Sequence, residues 1–237
     1  METLSFRWRG RFGHFLRAEA NVNAFTYPIP PRTAIQGLIA AILGLEKDSL
    51  GEALAGVRIA LSGVPPQRFW HRVKLRKDPP AALPFKVKAK QKGSRKPEKA
   101  TLVLQEWLYR PDFTVTCALP DQSERFTELC DRVRERRWHF GPCLGLSELL
   151  ADVEWLSEEQ AEPLREGDYR VQGPCRADQV ELRAEDGLGI HLLRLPHSVD
   201  AQRTFRHRGY YLEHQGRPIP VHTRHAWRVG GRELCFW

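Results

Sequence analysis

Residues able to meet a phosphodiester chain gather at two places near the start of this sequence. The first is a basic loop, Arg11-Phe12-Gly13-His14-Phe15. A glycine lets a ribose or phosphate approach the backbone, a guanidinium grips phosphate, and rings such as His14 and Phe15 can stack on bases turned out of a helix. Tyr27 can stack in the same way, or pack into the core beside its prolines. The second is Pro30-Pro31-Arg32-Thr33, ahead of a run with apolar residues at helical spacing. A helix N-terminus presents unpaired N–H groups and partial positive charge, and Arg32 adds a bidentate donor for phosphate. The plainer alternative is a helix end capped by Thr33 with Arg32 in solvent.

Charge points the same way. The chain has 237 residues, 37 Lys+Arg and 29 Asp+Glu, for a net charge of +8. Between Arg68 and Lys99 stand twelve Lys/Arg against Asp78 and Glu98, so this segment alone carries +10. Within it Lys86, Lys88, Lys90 and Lys92 alternate with other residues, as on one face of a β-ribbon, and Gly93-Ser94 can turn it. Four lysines on one face repel one another unless a polyanion lies along them; a solvated loop is the alternative. Glu148 to Asp168 carries eight acidic residues against Arg165, a solvated face or a docking surface for a basic neighbour. The five cysteines include no CxxC, and His207, His214, His222 and His225 follow no ligand spacing, so no metal or cofactor is expected. The longest apolar run is far shorter than the roughly 20 residues of a membrane span, and no secretory signal opens the chain, which suits a cytoplasmic protein.

These residues need elements to hold them. Leu4, Phe6 and Trp8 alternate with polar residues, predicting an opening strand with one buried face. A helix is predicted from Arg32 to Leu43, with Ala34, Ile35, Leu38, Ile39, Ile42 and Leu43 on its apolar side and Gly44 closing it. Gly37 inside it implies that another backbone, or a ligand, comes close. Strands follow at 57–62, 102–109 and 114–118, then a helix over 123–137, then a strand over 149–156. On that helix Arg134, Arg136 and Arg137 either extend the basic trough or face solvent. The order is βαββαβ, an α+β arrangement of the ferredoxin-like or RRM-like kind. The chain divides into an RNA-binding domain over 1–160, with its basic insertion at about 68–100, and a smaller β-rich module over 161–237.

The segments 6–15 and 26–44, with "Pro-Pro-x-Thr-Ala-x-x-Gly-Leu-hydrophobic-Ala" opening a helix, resemble the CRISPR-associated Cas five family of the RAMP superfamily. Gly141-Pro142-Cys143-Leu144-Gly145 and Leu195-Pro196-His197-Ser198-Val199-Asp200 resemble later family segments. Among members the chain looks closest to those of type I-B systems. The resemblance implies a modified RRM with a protruding basic β-hairpin, the thumb. It also implies a non-catalytic subunit of a type I Cascade that holds the 5′ handle of the CRISPR RNA (crRNA) and caps the backbone filament. Such a subunit meets the large subunit at the end where the protospacer-adjacent motif is bound, near target DNA. Arg11, Gly13, His14, Tyr27, Arg32, Thr33, Gln36, Lys86, Lys88, Lys90, Lys92 and Arg137 are then the RNA-binding set, with no catalytic residue. The alternative is a metal-independent endoribonuclease that processes precursor RNA, as type I-C relatives do with Tyr, Lys and His. Here His14, Tyr27 and a ribbon lysine have the residue types but no recognisable catalytic pattern.

Overall fold

The computed structural model describes residues 1–19, 23–46, 50–54, 56–76, 100–200 and 202–237. Lys86, Lys88, Lys90 and Lys92 lie outside them.

The first sheet has four strands: β1 (Glu2–Gly10), β3 (Arg58–Ser62), β6 (Asp112–Ala118) and β7 (Ala151–Gln160). Their order is β3-β6-β1-β7, and every neighbouring pair is antiparallel. Leu4, Phe6 and Trp8 of β1 are buried, as their alternation predicts. The opposite face is buried at Thr3 and Ser5, beyond the single face expected, and stays half-open at Arg7 and Arg9. Ser5 Oγ lies 2.9 Å from Thr116 Oγ1, and Thr3 Oγ1 donates to Glu159 O. Ala60, Ala161, Val229, Leu234 and Phe236 form a second apolar cluster apart from the main core. Small hydroxyls tolerate burial here because each is hydrogen-bonded.

Helix α1 (Arg32–Leu43) runs as its periodicity predicts, and Gly44 ends it at φ 77°, donating to Ala40 O. Gly37 departs from expectation: a Cβ built there meets no atom within 4 Å, so among the described residues nothing approaches it. Its place on the helix lies away from Ile35, Leu38, Ile39 and Ile42, which fill the core. A four-residue helix, α2 (Leu50–Ala53), follows. Helix α3 (Ser123–Arg134) buries Phe126, Leu129, Cys130 and Val133. It stops at Arg134, so Arg136 and Arg137 stand beyond the helix rather than on its face.

Between β3 and β6, β4 (Gln67–Arg76) and β5 (Ala100–Tyr109) pair antiparallel without a register break, from Gln67↔Tyr109 to Arg76↔Ala100. The two-residue β2 (Phe12–Gly13) joins the other edge of β5. Past α3 the described residues hold strands and turns but no helix. They form three small antiparallel sheets: β10 (Cys175–Arg176), β13 (Phe205–Glu213) and β12 (Ile190–Val199); β11 (Glu181–Leu182), β14 (Ile219–Thr223) and β9 (Gly167–Val171); β16 (Arg232–Cys235), β15 (Ala226–Val229) and β8 (Glu162–Pro163). Leu195, Tyr210, Leu212 and Trp237 from this half belong to the main core with α1, and Trp237 N donates to Ile59 O. Among the described residues, no helix is long and apolar enough to cross a membrane.

The acidic excess of 148–168 is matched in space by arginines from elsewhere. Asp152 pairs with Arg9 and Arg136, Glu158 with Arg134, Glu159 with Arg232, and Asp168 with Arg183. Such half-exposed pairs contribute little each, but they make the surface less acidic than the local sequence count.

Candidate nucleic-acid interface

Four stretches far apart in sequence meet, together with Leu50 and Gly51 of α2, beside the N-terminus of α1. His14, Phe15 and Leu16 form one wall; Tyr27, Pro31, Thr33 and Ala34 form the second. Gly145 and Leu146 supply the third, and Pro196, Val199, Asp200, Arg203 and Phe205 the fourth. They enclose a pocket of about 410 Å³. Backbone bonds hold the walls together: His14 N donates to Leu144 O at 2.9 Å, and Tyr27 N donates to Phe15 O at 2.8 Å. Gly145 sits at φ 98°, and a Cβ there would stand 1.8 Å from His14 O. Only glycine fits that contact.

His14 is 2% exposed. Its Nδ1 lies 2.8 Å from Glu106 O, and a carbonyl only accepts, so Nδ1 carries the proton and Nε2 is left without one. Burial lowers its pKa against the opposing pull of Glu106, which keeps the ring neutral. Phe15 and Tyr27 are also buried, and burial raises the Tyr27 hydroxyl. His14 and Phe15, expected as exposed stacking rings, and Tyr27, left open between stacking and core, are therefore walls of the pocket, because 15–16 pairs with 26–27 instead of looping into solvent. Thr33 lines the pocket and does not cap α1: the N-cap is Pro31, without a side-chain bond.

Arg32 corrects its expected role most clearly. Its Nε donates to Trp237 O at 3.0 Å, Nη1 to His197 O at 3.3 Å and Nη2 to Val57 O at 2.7 Å. The guanidinium that would grip phosphate holds three backbone carbonyls. Gly13 is buried with Pro111, Leu144 and Leu108 around the place of a Cβ, so it serves close packing within the chain rather than approach of a ribose. Gln36 is buried on α1. Arg137 is exposed and paired with Glu135 at 2.6 Å. The exposed Arg11 stays near the surface, its guanidinium 5.3 Å from the Phe12 ring centroid. With Arg7, Arg9, Arg110 and Tyr109 it borders a second cleft of about 610 Å³. Two of those arginines are engaged, Arg7 by Asp112 and Arg9 by Asp152 and Glu154.

Sequence reasoning passed over a set of rings on the β2-β5-β4 sheet. Phe12, Phe69, Trp107 and Tyr109 pack with centroids 5.5 to 6.3 Å apart, and His71 stacks on Trp107 at 4.3 Å. The signal was present as period two, Phe69/His71 on one strand and Trp107/Tyr109 on the other.

The family model described as "CRISPR-associated protein (Cas_Cas5)" matches residues 3–217. No curated protein matches the sequence. A CRISPR protein from Archaeoglobus fulgidus is similar in structure at 14% identity, covering 100% of this chain and 98% of its own, with a TM-score of 0.56. A chain of a CRISPR RNA-guided surveillance complex is similar at 18% identity, with 92% and 91% covered and a TM-score of 0.54. A Cas protein is similar at 15% identity, with 90% and 95% covered and a TM-score of 0.51. At these identities the likeness is one of fold.

Proposed function

The chain belongs to the CRISPR-associated Cas five family, and from that premise we propose that it is an RNA-binding, non-catalytic subunit of a type I Cascade effector in the cytoplasm. It holds the 5′ handle of the crRNA, caps the backbone filament and meets the large subunit near target DNA. The observation that carries this reading is the pocket at the start of α1, where the 14–16, 27–34, 145–146 and 196–205 stretches converge. The backbone N–H groups of a first helical turn suit a phosphate, and the apolar walls suit a base or ribose. The strand order β3-β6-β1-β7, with α1 and α3 as the two crossings, supports reading the first part as ferredoxin-like. The long β4–β5 ribbon supports reading 68–100 as the thumb.

Incubation of the purified protein in EDTA with 5′-labelled precursor crRNA tests this. A native-gel shift with intact RNA is expected; no shift overturns the reading. The endoribonuclease reading has one observation in its favour: His14 and Tyr27 share the pocket, and His14 Nε2 is unprotonated and so able to accept a proton. It expects specific cutting within the repeat, lost in His14→Asn, which keeps a donor toward Glu106 O.

A further inference from the structure

We propose that the ring-bearing face of the β2-β5-β4 sheet is a stacking platform for an unpaired stretch of the bound RNA, an inference that rests on the RNA-binding reading above. Phe12, Phe69, His71, Trp107 and Tyr109 lie on one face because their strands pair in register: Phe12 and Gln67 stand opposite Tyr109, and Phe69 stands opposite Trp107. None of the five rings is buried, and Tyr109 is 46% exposed. The other face of β5 turns inward through Leu108, which is fully buried, and Glu106, which receives Thr26 N. Five contiguous rings left half-open on an ordered sheet mark a surface that something covers.

Charge decides what covers it. Arg11 stands over Phe12, and Arg110, exposed, follows Tyr109. The segment 77–99, which joins β4 to β5 in the sequence, holds eight Lys/Arg against Asp78 and Glu98, whereas Arg68, Arg72 and Lys74 alternate with Phe69 and His71 along β4 and so belong to its other face, where Arg68 pairs with Glu106. Rings bordered by Arg11 and Arg110 match a polyanion that also offers π-faces, which is single-stranded nucleic acid. A duplex hides its base faces, and a protein partner's apolar surface gains nothing from the cations. The rings are also held in place: Trp107 Nε1 donates to Gln105 Oε1 at 3.1 Å, so the indole N–H needs no other acceptor. The platform continues into the pocket along one segment, since Phe12 lies on the sheet and His14 lines the pocket two residues later.

The test titrates 5′-labelled crRNA repeat RNA against the wild-type protein, Trp107→Ala, Trp107→Phe and Tyr109→Ala over a range of salt. Loss of one stacked base corresponds to roughly five- to hundredfold in affinity. That loss is expected for both alanine variants at every salt concentration, without change in the slope of log K against log salt. Trp107→Phe should retain most of the affinity. In parallel, wild-type protein cross-linked to 4-thiouridine RNA should give adducts on Phe69, Trp107 or Tyr109, a result independent of how the variants fold. Folded alanine variants that bind as the wild type does, or adducts confined to other segments, overturn the platform alone. RNA binding unchanged but assembly with a neighbouring subunit lost would make the face a protein contact and also overturn it. No binding by the wild type overturns the parent reading instead.

Discussion

The Arg32 guanidinium ties the start of α1 to Val57, His197 and Trp237 through three donated bonds. A lysine there keeps the charge but not the fork, and cannot reach three carbonyls in those directions. Arg32→Lys should therefore lower stability by about 1–3 kcal/mol in urea unfolding, with RNA affinity of the folded protein unchanged. A phosphate role would give the opposite: little loss of stability and weaker binding. His197 is the second residue to test. Burial, with Arg32, Arg176 and Arg208 nearby, lowers its pKa to about 4, and its Nδ1 and the Tyr210 hydroxyl share a hydrogen bond at 2.7 Å. The unfolded chain takes up a proton near pH 6.5 while the folded one does not. Stability is thus fully present above about 6.5 and declines as pH falls toward 4, by at most on the order of 3 kcal/mol. His197→Gln should flatten the melting temperature over that window.

At the scale of elements, α1 has two sides with different demands. Its core side is filled by Ile35, Leu38, Ile39 and Ile42, whereas Gly37 opens onto a groove with Ala40, Ala41, Gly44 and Phe140. Among the described residues outside its own helical turn, none comes within 4 Å of a Cβ at Gly37, and glycine costs about 1 kcal/mol against alanine inside a helix. Gly37→Ala should stabilise the isolated protein by up to about that amount, read as a higher urea midpoint. No rise would mean that the site is more crowded than its surroundings indicate. A glycine at 145 has the opposite constraint, because its positive φ and its contact with His14 O leave no room for any side chain. The close approach expected at Gly37 is found instead at Gly145.

At the scale of the whole molecule, electrostatics and shape divide the work. The basic segment between Arg68 and Lys99 carries more positive charge than the entire chain's balance. Replacing Lys86, Lys88, Lys90 and Lys92 with Ala should make the salt dependence of RNA binding shallower by about 3 in slope, if each meets one phosphate. An unchanged slope in a salt titration would remove those lysines from the interface. Much of the framework was legible in advance: the opening strand, both long helices and the strands flanking the basic segment follow from periods of 2 and 3.6, which are local properties of the chain. The motif around Pro30–Gly44 likewise pointed to the family. What each polar group does was not legible. Arg32 and Gly13 have residue types that suit either a ligand or the chain itself, and here their contacts are with the chain; His14 lies in a glycine-containing stretch that suggests an exposed loop, and it is a pocket wall. The acidic stretch read as one face, and arginines from distant elements meet it. Sequence records residue type and spacing along one dimension. Whether a guanidinium finds a phosphate or a carbonyl depends on atoms brought within 3 Å by segments that stand up to 205 residues apart, and only packing decides that.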